Sequence, residues 1–397
     1  MIKIAIFSGS IPSSTFIENL IKGVAQKHQV QLYGVIEKPI VYEQGNIHIY
    51  KTPKSHWGNL WLTIKRILKL ALQSPKNLSI LLKETKRFKS NYERWIWFTK
   101  FLPIVLYKPD ILHLQWARDL EFYYFMQSKL GIQLLVSLRG AHINYTPIVE
   151  PRMAKIYQET FPNISAFHAV SEAIAHEASC YGADMKRIKV IRSPLSPLFI
   201  DSYQPCNKPS HMPLQLIVVG RFHWKKGYSY LLNAMHMLKQ QGLSVHLNFI
   251  GENDYPEEIL FQLHQLGLEN QVNLLGKKSQ EELATLLKQH HALVLPSLEE
   301  GIANVVLEAM ALGVPVISTN CGGMAEVVKP GETGWLVPVR DPKALAAAIT
   351  KLHHTPEYEL QRITANAHQL VKQHFNAEDR IAEFLEFYED VVRSSEN

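Results

Sequence analysis

Cysteine is scarce in this sequence: there are three in 397 residues, Cys180, Cys206 and Cys321. An odd number of widely spaced thiols with no CxxC step excludes a disulfide framework and a zinc ribbon, and suits a reducing compartment. Nothing at the amino terminus reads as a secretion signal. Met1 to Phe7, MIKIAIF, is a buried strand running into the small-residue turn Ser8-Gly9-Ser10, without a basic start, a long apolar middle or a cleavage site. Apolar runs such as Ala309 to Ile317 stop well short of the ~18 residues that cross a bilayer. A cytoplasmic protein, peripheral at most, is expected. Asp-x-Asp is absent, and so is G-x-G-x-x-G after any predicted first strand. Histidines come as adjacent pairs, His290-His291 and His353-His354, whose side chains diverge on a helix, so no metal is expected. There is no fixed-period repeat and no low-complexity tract.

What is present is an ordinary globular balance, 46% hydrophobic and 20% charged, at a length that suggests two domains of similar size. The net charge of +6 is lopsided. From Lys51 to Lys108 thirteen basic residues stand against Glu84 and Glu93, and the remainder of the chain is net acidic. Trp57, Trp61, Trp95 and Trp97 lie among those lysines. Such a segment attracts an anionic membrane surface, or is a solvated helical face. No nucleic-acid partner is expected.

The first third alternates strands and helices: strands Ile2 to Phe7, Val30 to Val35, Ile111 to Leu114 and Leu134 to Leu138, with a helix near Phe16 to Lys27. Phe167 to Val170 and Ile188 to Ile191 continue the pattern, with Ser171 as N-cap of the helix Glu172 to Tyr181. This alternation marks a parallel sheet with crossover helices. Pro194, Pro197, Pro205, Pro209 and Pro213 then fall within a short span that no helix or strand interior tolerates, which places a linker there. From Leu214 a second series begins: strands Leu214 to Val219, Val245 to Ile250, Val272 to Leu275, Ala292 to Leu295 and Val314 to Ser318. Between them fall helices Ser229 to Gln240, Glu257 to Leu266, Gln280 to Gln289 and Val305 to Leu312. Residues 1–195, 196–375 and 376–397 are therefore expected as a first α/β domain, a second doubly wound α/β domain, and a helix that returns to the first.

Chemistry concentrates at two strand ends of the second domain. After the strand Ala292 to Leu295, Pro296 to Gly323 reads PSLEEGIANVVLEAMALGVPVISTNCGG, with Glu300 and Glu308 eight apart across a turn that opens a helix. Ligands of open α/β sheets bind outside the carboxyl ends of strands. Asn304 is a plausible N-cap, and the backbone amides from Gly301 through Ile302, Ala303 and Val305 to Val306 would face polar or anionic groups. Glu300 suits a polyol, and Glu308 a vicinal diol such as ribose; alone, two such acids would merely favour the helix dipole. After the strand Leu214 to Val219 comes Gly220 to Gly227, GRFHWKKG, whose Arg221 and Lys226 can hold a diphosphate and neutralise its growing charge.

In this order the motifs resemble the family-four, group 1 retaining glycosyltransferases of GT-B fold, which assemble polysaccharides and glycolipids. The resemblance runs from about Leu214 to Pro338. It is carried by Gly220-Arg221-Phe222, Lys226-Gly227, Leu275-Gly276, Pro296-Ser297 with Glu300-Gly301, Leu307-Glu308-Ala309-Met310-Ala311, Gly313-Val314-Pro315-Val316, Gly322-Gly323 and Gly334. Ser14-Thr15-Phe16-Ile17 and Phe167-His168-Ala169-Val170-Ser171 extend it more faintly into the first domain. The resemblance implies two Rossmann-like domains facing each other across a cleft, and transfer of a sugar from a nucleotide-sugar donor to a saccharide or lipid-linked acceptor with the anomeric configuration kept. Arg221 and Lys226 would bind the diphosphate, Glu300 the transferred sugar, Glu308 the ribose, and Gly276 with Lys277 would lie near the nucleobase. Backbone groups of Gly301 to Val305 would meet sugar hydroxyls and phosphate. No cofactor is implied, and without Asp-x-Asp no metal. Arg139 stands where many members carry His, and Arg192-Ser193-Pro194 where they carry Pro-Asn-Gly. Ser10, Arg139 and His142 are the acceptor-side candidates, with His113 and Trp116 either further contacts or core. A nucleotide-sugar epimerase of the same architecture, or a non-catalytic nucleotide-sugar-binding subunit, are the alternatives.

Overall fold

The computed structural model describes residues 1–206 and 213–396, so Pro209 of the expected linker lies outside the described residues. The chain divides into two compact units, Met1–Ile191 with Glu378–Asn397, and Arg192–Ala377.

In the first unit eight strands form one all-parallel sheet: β1 (Lys3–Phe7), β2 (Ser10–Ile11), β3 (Gln29–Ile36), β4 (Ile47–Lys51), β5 (Ile111–Leu114), β6 (Gln133–Leu138), β7 (Ala166–Ala169) and β8 (Ile188–Val190). Neighbours run β4-β3-β1-β5-β6-β7-β8, with two-residue β2 pairing the end of β3. Side chains on successive residues of a strand point to opposite faces. Ala5, Leu112, Leu134, Val136 and Phe167 accordingly join one apolar layer, while Ile4, Ile6, Ile111, Leu135 and Ala166 join the other. The first layer packs on helices such as Asn91–Tyr107 and Leu120–Leu130. The second packs on helix Thr15–Val24 and on Phe384, Phe387 and Tyr388 of the carboxy-terminal helix Ala377–Glu396.

The second unit holds β9 (Leu214–Val219), β10 (Val245–Ile250), β11 (Val272–Leu274), β12 (Ala292–Leu295), β13 (Val316–Thr319) and β14 (Trp335–Val337), again all parallel, in the order β11-β10-β9-β12-β13-β14. Leu216 and Val218 face one buried layer, Ile217 the other; Ala292 and Val294 face the first, Leu293 and Leu295 the second. Both sheets are thus doubly wound, with the strand reversal between β1 and β5 in one and between β9 and β12 in the other.

Several details differ from the sequence expectation. The second unit starts at Arg192 because Leu195 N–H donates to Phe375 O at 2.9 Å, while the Arg192 guanidinium lies over the Phe375 ring and 3.5 Å from Glu326. The basic segment carries three helices, His56–Gln73, Pro75–Thr85 and Asn91–Tyr107. Helix Asn304–Leu312 starts one residue earlier than expected, and its N-cap is Ala303, which offers no side-chain acceptor; Asn304 is the first helical residue and exposed.

Candidate active site

The loops after β9 and β12 meet because their strands are neighbours whose crossovers lead in opposite directions, which opens a crevice at their carboxyl ends. The Leu298 amide donates to Lys225 O at 2.6 Å, locking one loop on the other. Two glycines permit this approach. Gly227 has φ 65°, and a Cβ there would sit 2.1 Å from Pro296 O; Gly322 has φ 51°, and a Cβ there would sit 1.7 Å from Glu300 O.

Held in this way, Lys226 Nζ stands 2.5 Å from Glu300 Oε1, which also accepts from Ser297 Oγ at 3.0 Å. Thr319 Oγ1 donates in turn to Ser297 O, anchoring the turn to the end of β13. Glu300 is 9% exposed, and both bonds fall on one oxygen, which leaves Oε2 for an incoming hydroxyl. Lys225 makes a parallel, looser pair with Glu299 at 3.5 Å. Ser297 was singled out from sequence only as part of the Pro296-Ser297 motif and without a role, and Thr319 and Lys225 not at all, since such a residue beside a strand end carries no signal until its partner is known.

Arg221 is placed on the same loop but is exposed, and among the described residues its side chain makes no hydrogen bond or ion pair; Tyr228 Oη donates to its carbonyl at 3.3 Å. Lys226 and Glu300 therefore converge and Arg221 does not join them. Glu308 lies in the second turn of helix Asn304–Leu312, half-buried, and among the described residues its carboxylate has no hydrogen-bond or ion-pair partner. Burial pushes this carboxyl up to about 7. The expected row of free amides is shorter than the sequence suggested, because Ala303 N–H already donates to Met324 Sδ and Val306 N–H to Ala303 O. Ile302 and Val305 are half-buried and Gly301 is buried. The loop of Gly276 and Lys277 is tied down by Asn253, whose Oδ1 accepts from Lys277 N at 3.1 Å.

The first unit has its own strand reversal, between β1 and β5, and a different set of groups beside it. Arg139 follows β6. Its Nη2 donates to Gln115 Oε1 at 3.1 Å and its guanidinium lies 4.3 Å from the centre of the Phe16 ring. Burial lowers the guanidinium to about 9, which leaves it charged at neutral pH. Arg139 Nε and Gln115 Nε2 are buried donors with no hydrogen-bond partner among the described residues. The His142 ring lies 5.6 Å from that of Trp116, and Tyr157 Oη donates to the His142 carbonyl. Ser10 sits in β2, paired with Val35, and among the described residues no side-chain hydrogen bond joins it to Arg139.

Behind Arg139 runs a buried polar chain. His113 Nδ1 is 2.7 Å from Tyr388 Oη and its Nε2 2.8 Å from Ser137 Oγ; Ser137 Oγ is 2.8 Å from His168 Nδ1, and His168 Nε2 2.8 Å from Ile191 O. The carbonyl can only accept, so every proton is assigned in turn: His168 donates to Ile191, Ser137 to His168, His113 to Ser137, and Tyr388 to His113. Each imidazole is neutral, in keeping with burial that lowers His168 to about 3 and His113 well below its ordinary range. His113 is thus a core residue that ties the carboxy-terminal helix to the sheet. Among the described residues no group of three or more His, Cys, Asp or Glu gathers to hold a metal.

Two doubly wound units, each with its own strand reversal, make up the GT-B architecture, and comparison with solved structures agrees. The family model described as "Glycosyl transferases group 1" matches residues 201–370, all within the second unit. The amylovoran biosynthesis glycosyltransferase AmsK of Erwinia amylovora is 31% identical over 265 residues, 64% of each chain. A colanic acid biosynthesis glycosyltransferase, WcaL, of Salmonella typhimurium is 29% identical over 247 residues, 61% of this chain and 58% of that one. The chain thus spans about three fifths of these curated relatives. Among solved structures, sucrose-phosphate synthase of Thermosynechococcus elongatus superposes with a TM-score of 0.75 at 17% identity, covering 99% of this chain and all of that one. HepE of Anabaena in complex with UDP-glucose superposes at 0.67 and 18% identity, covering 97% and 100%.

Proposed function

We propose that this protein is a retaining glycosyltransferase of polysaccharide biosynthesis that moves a sugar from a nucleotide-sugar donor to a saccharide or lipid-linked acceptor. The observation that carries this reading is the opposition of Lys226 and Glu300 at the strand reversal of the second unit. An ammonium has three donors, so Lys226 can keep Glu300 and still bind a diphosphate oxygen. The free Oε2 of Glu300 accepts a hydroxyl of the sugar, and Glu308, once ionised, accepts the ribose diol. Arg221, exposed beside them, adds a second cation to the diphosphate, and Gly276 with Lys277 borders the nucleobase. In the reaction the bond from the anomeric carbon to the diphosphate oxygen breaks. The acceptor oxygen bonds that carbon on the same face, and its proton passes to the departing diphosphate. The chain contributes position and charge neutralisation, the two effects that matter most where no protein nucleophile takes part.

The amylovoran and colanic acid relatives support polysaccharide assembly, and the neighbour solved with UDP-glucose supports a uridine diphosphate sugar as the first donor to try. Metal independence belongs to the same proposal, since Lys226 supplies the positive charge and the sequence has no Asp-x-Asp. Acceptor binding is assigned to the first unit around Arg139 and His142, where the Arg139 Nε donor, without a partner among the described residues, suits a polar or anionic saccharide. A cytoplasmic location and an anionic membrane partner for residues 51–108 complete the proposal.

The test is to incubate the purified protein with a panel of nucleotide sugars, with and without chelator. Thermal stabilisation by one donor, followed by slow release of its nucleoside diphosphate that chelator does not stop, is expected. Interconversion of the sugar on the nucleotide would identify an epimerase instead, and binding without turnover in the presence of candidate acceptors a binding subunit. Turnover lost with chelator and restored by magnesium or manganese would overturn metal independence.

A further inference from the structure

Helix His56–Gln73 presents apolar side chains to solvent along one continuous stripe: Trp57, Trp61, Ile64, Leu68 and Leu72. At ~100° per residue these five fall within about 80° of arc. Trp57 is 77% exposed, Trp61 65% and Leu72 87%. The opposite side of the helix is the one that packs: Thr63, Arg66 and Leu70 are buried, and Arg66 donates to Lys51 O at 3.1 Å. This inverts the usual amphipathic helix, in which the larger apolar residues face inward. Lys65 is exposed beside the stripe, and Lys69, also exposed, sets its ammonium 5.2 Å from the centre of the Tyr107 ring. Trp97, which sequence placed among the same group, behaves differently, since it stacks on Phe88 and Phe122 inside the unit.

We infer that this stripe is a membrane-docking surface whose occupant is the interface of an anionic lipid bilayer. The inference deepens the membrane partner in the proposed function and specifies which residues of the basic segment make the contact. Charge selects the occupant. The stripe lies in the segment where thirteen basic residues oppose two acids, so a negatively charged headgroup layer complements it. A second copy of the chain would bring two like-charged faces together. Nucleic acid would satisfy the lysines but leave Ile64, Leu68 and Leu72 without apolar cover. In a bilayer the two indoles sit at headgroup depth, the aliphatic residues reach the acyl boundary, and the lysine stems lie along the surface with their ammonium groups on phosphate. Among the described residues no helix is long and apolar enough to cross a membrane, and the geometry is that of a helix lying in the interface.

Flotation with phosphatidylcholine vesicles, with and without phosphatidylglycerol, tests this on the full chain. Wild type should float with the anionic vesicles and only weakly with the neutral ones. Combined Trp61→Ser and Leu68→Ser should lower vesicle affinity by about tenfold or more with an unchanged thermal midpoint, because neither side chain packs inside the fold. Trp57→Phe with Trp61→Phe should keep binding and lose the quenching of tryptophan fluorescence by brominated acyl chains. The release of nucleoside diphosphate from a soluble donor should be the same in all these variants, so failure here is separable from failure of the catalytic reading. The inference is overturned if wild type ignores anionic vesicles, if the serine pair floats as well as wild type, or if sedimentation shows a dimer that the serine pair dissociates.

Discussion

The two units share strand order and place their loops at the same topological position, yet they furnish it differently. Beside β9 and β12 the chain sets opposite charges against each other, Lys226 on Glu300 and Lys225 on Glu299, and lines the approach with glycines whose missing Cβ atoms let two loops touch. Beside β1 and β5 it sets one cation, Arg139, with an amide and an aromatic face and, among the described residues, no ion pair with an acid, above a chain of neutral imidazoles. A paired ammonium and carboxylate can each hand a bond to a ligand without being left bare. A lone buried guanidinium with an orphaned N–H instead favours a ligand that brings its own acceptor. The same fold thus sets a neutralised ion pair at one strand reversal and an uncompensated cation at the other.

The sharpest way to break this contrast is at the Lys226–Glu300 pair. Lys226→Ala and Glu300→Gln should each lower kcat by roughly 10²–10³-fold, the cost typical of removing one preorganised group that meets developing charge. Circular dichroism should show both variants folded, since the loops remain locked through Leu298 and Lys225. Turnover within a few-fold of wild type in either would remove the assigned roles. The equivalent cut in the first unit lies in the histidine chain, and there stability should fall instead. Tyr388→Phe strands His113 Nδ1 without a donor, at a cost of about 1–3 kcal/mol in denaturant unfolding, while donor-induced thermal stabilisation should persist. Acid should act on the same chain. His113 and His168 titrate lower folded than unfolded, so their stabilisation is present above about pH 6.5 and lost as pH falls below it.

How legible each unit was follows from how far apart its parts lie in the chain. Strands β9, β10 and β12 coincide with their predicted spans, because β-branched runs bounded by polar turns leave little choice. That Lys226 and Glu300 would lie close was accessible because each stands in the loop that follows such a strand, though their direct ion pair was not foreseen. The role of Ser297 and the whole of Asn253 were missed, as a hydrogen-bonding neighbour has no pattern of its own. Helix Asn91–Tyr107 was not placed: its second half is buried on all sides and Pro103 interrupts it, which erases the 3.6-residue period. The histidine chain was out of reach, because it needs the register that sets Ser137 beside His168 and a tyrosine 275 residues from His113. The N-cap assigned to Asn304 moved by one residue because Ala303 already has extended backbone angles, which a side-chain preference cannot override.

Glu308 gives the smallest expected effect and the finest probe, because here stability and function should move in opposite directions. Its folded carboxyl titrates near 7 through burial alone, whereas an unfolded glutamate titrates near ~4.3. The stabilisation associated with the protonated form is therefore complete below about pH 4 and lost as pH rises through 7. Above pH 7 the fold holds a partly desolvated carboxylate with no hydrogen-bond or ion-pair partner among the described residues. Glu308→Gln removes that charge with little change of shape, so at pH 8 the variant should unfold at higher denaturant than wild type. A gain on the order of 1 kcal/mol is expected once residual solvent exposure is allowed for. At pH 4, where the glutamate of wild type is largely neutral in both the folded and the unfolded chain, the gain should vanish. Donor affinity should show the converse: wild type should bind more tightly as pH rises through 7 and the carboxylate becomes available to the ribose diol, while the glutamine variant should bind more weakly and without that rise. A variant no more stable than wild type at pH 8, or one whose donor affinity keeps the pH dependence, would show that Glu308 is neither strained when empty nor the group that meets the ribose.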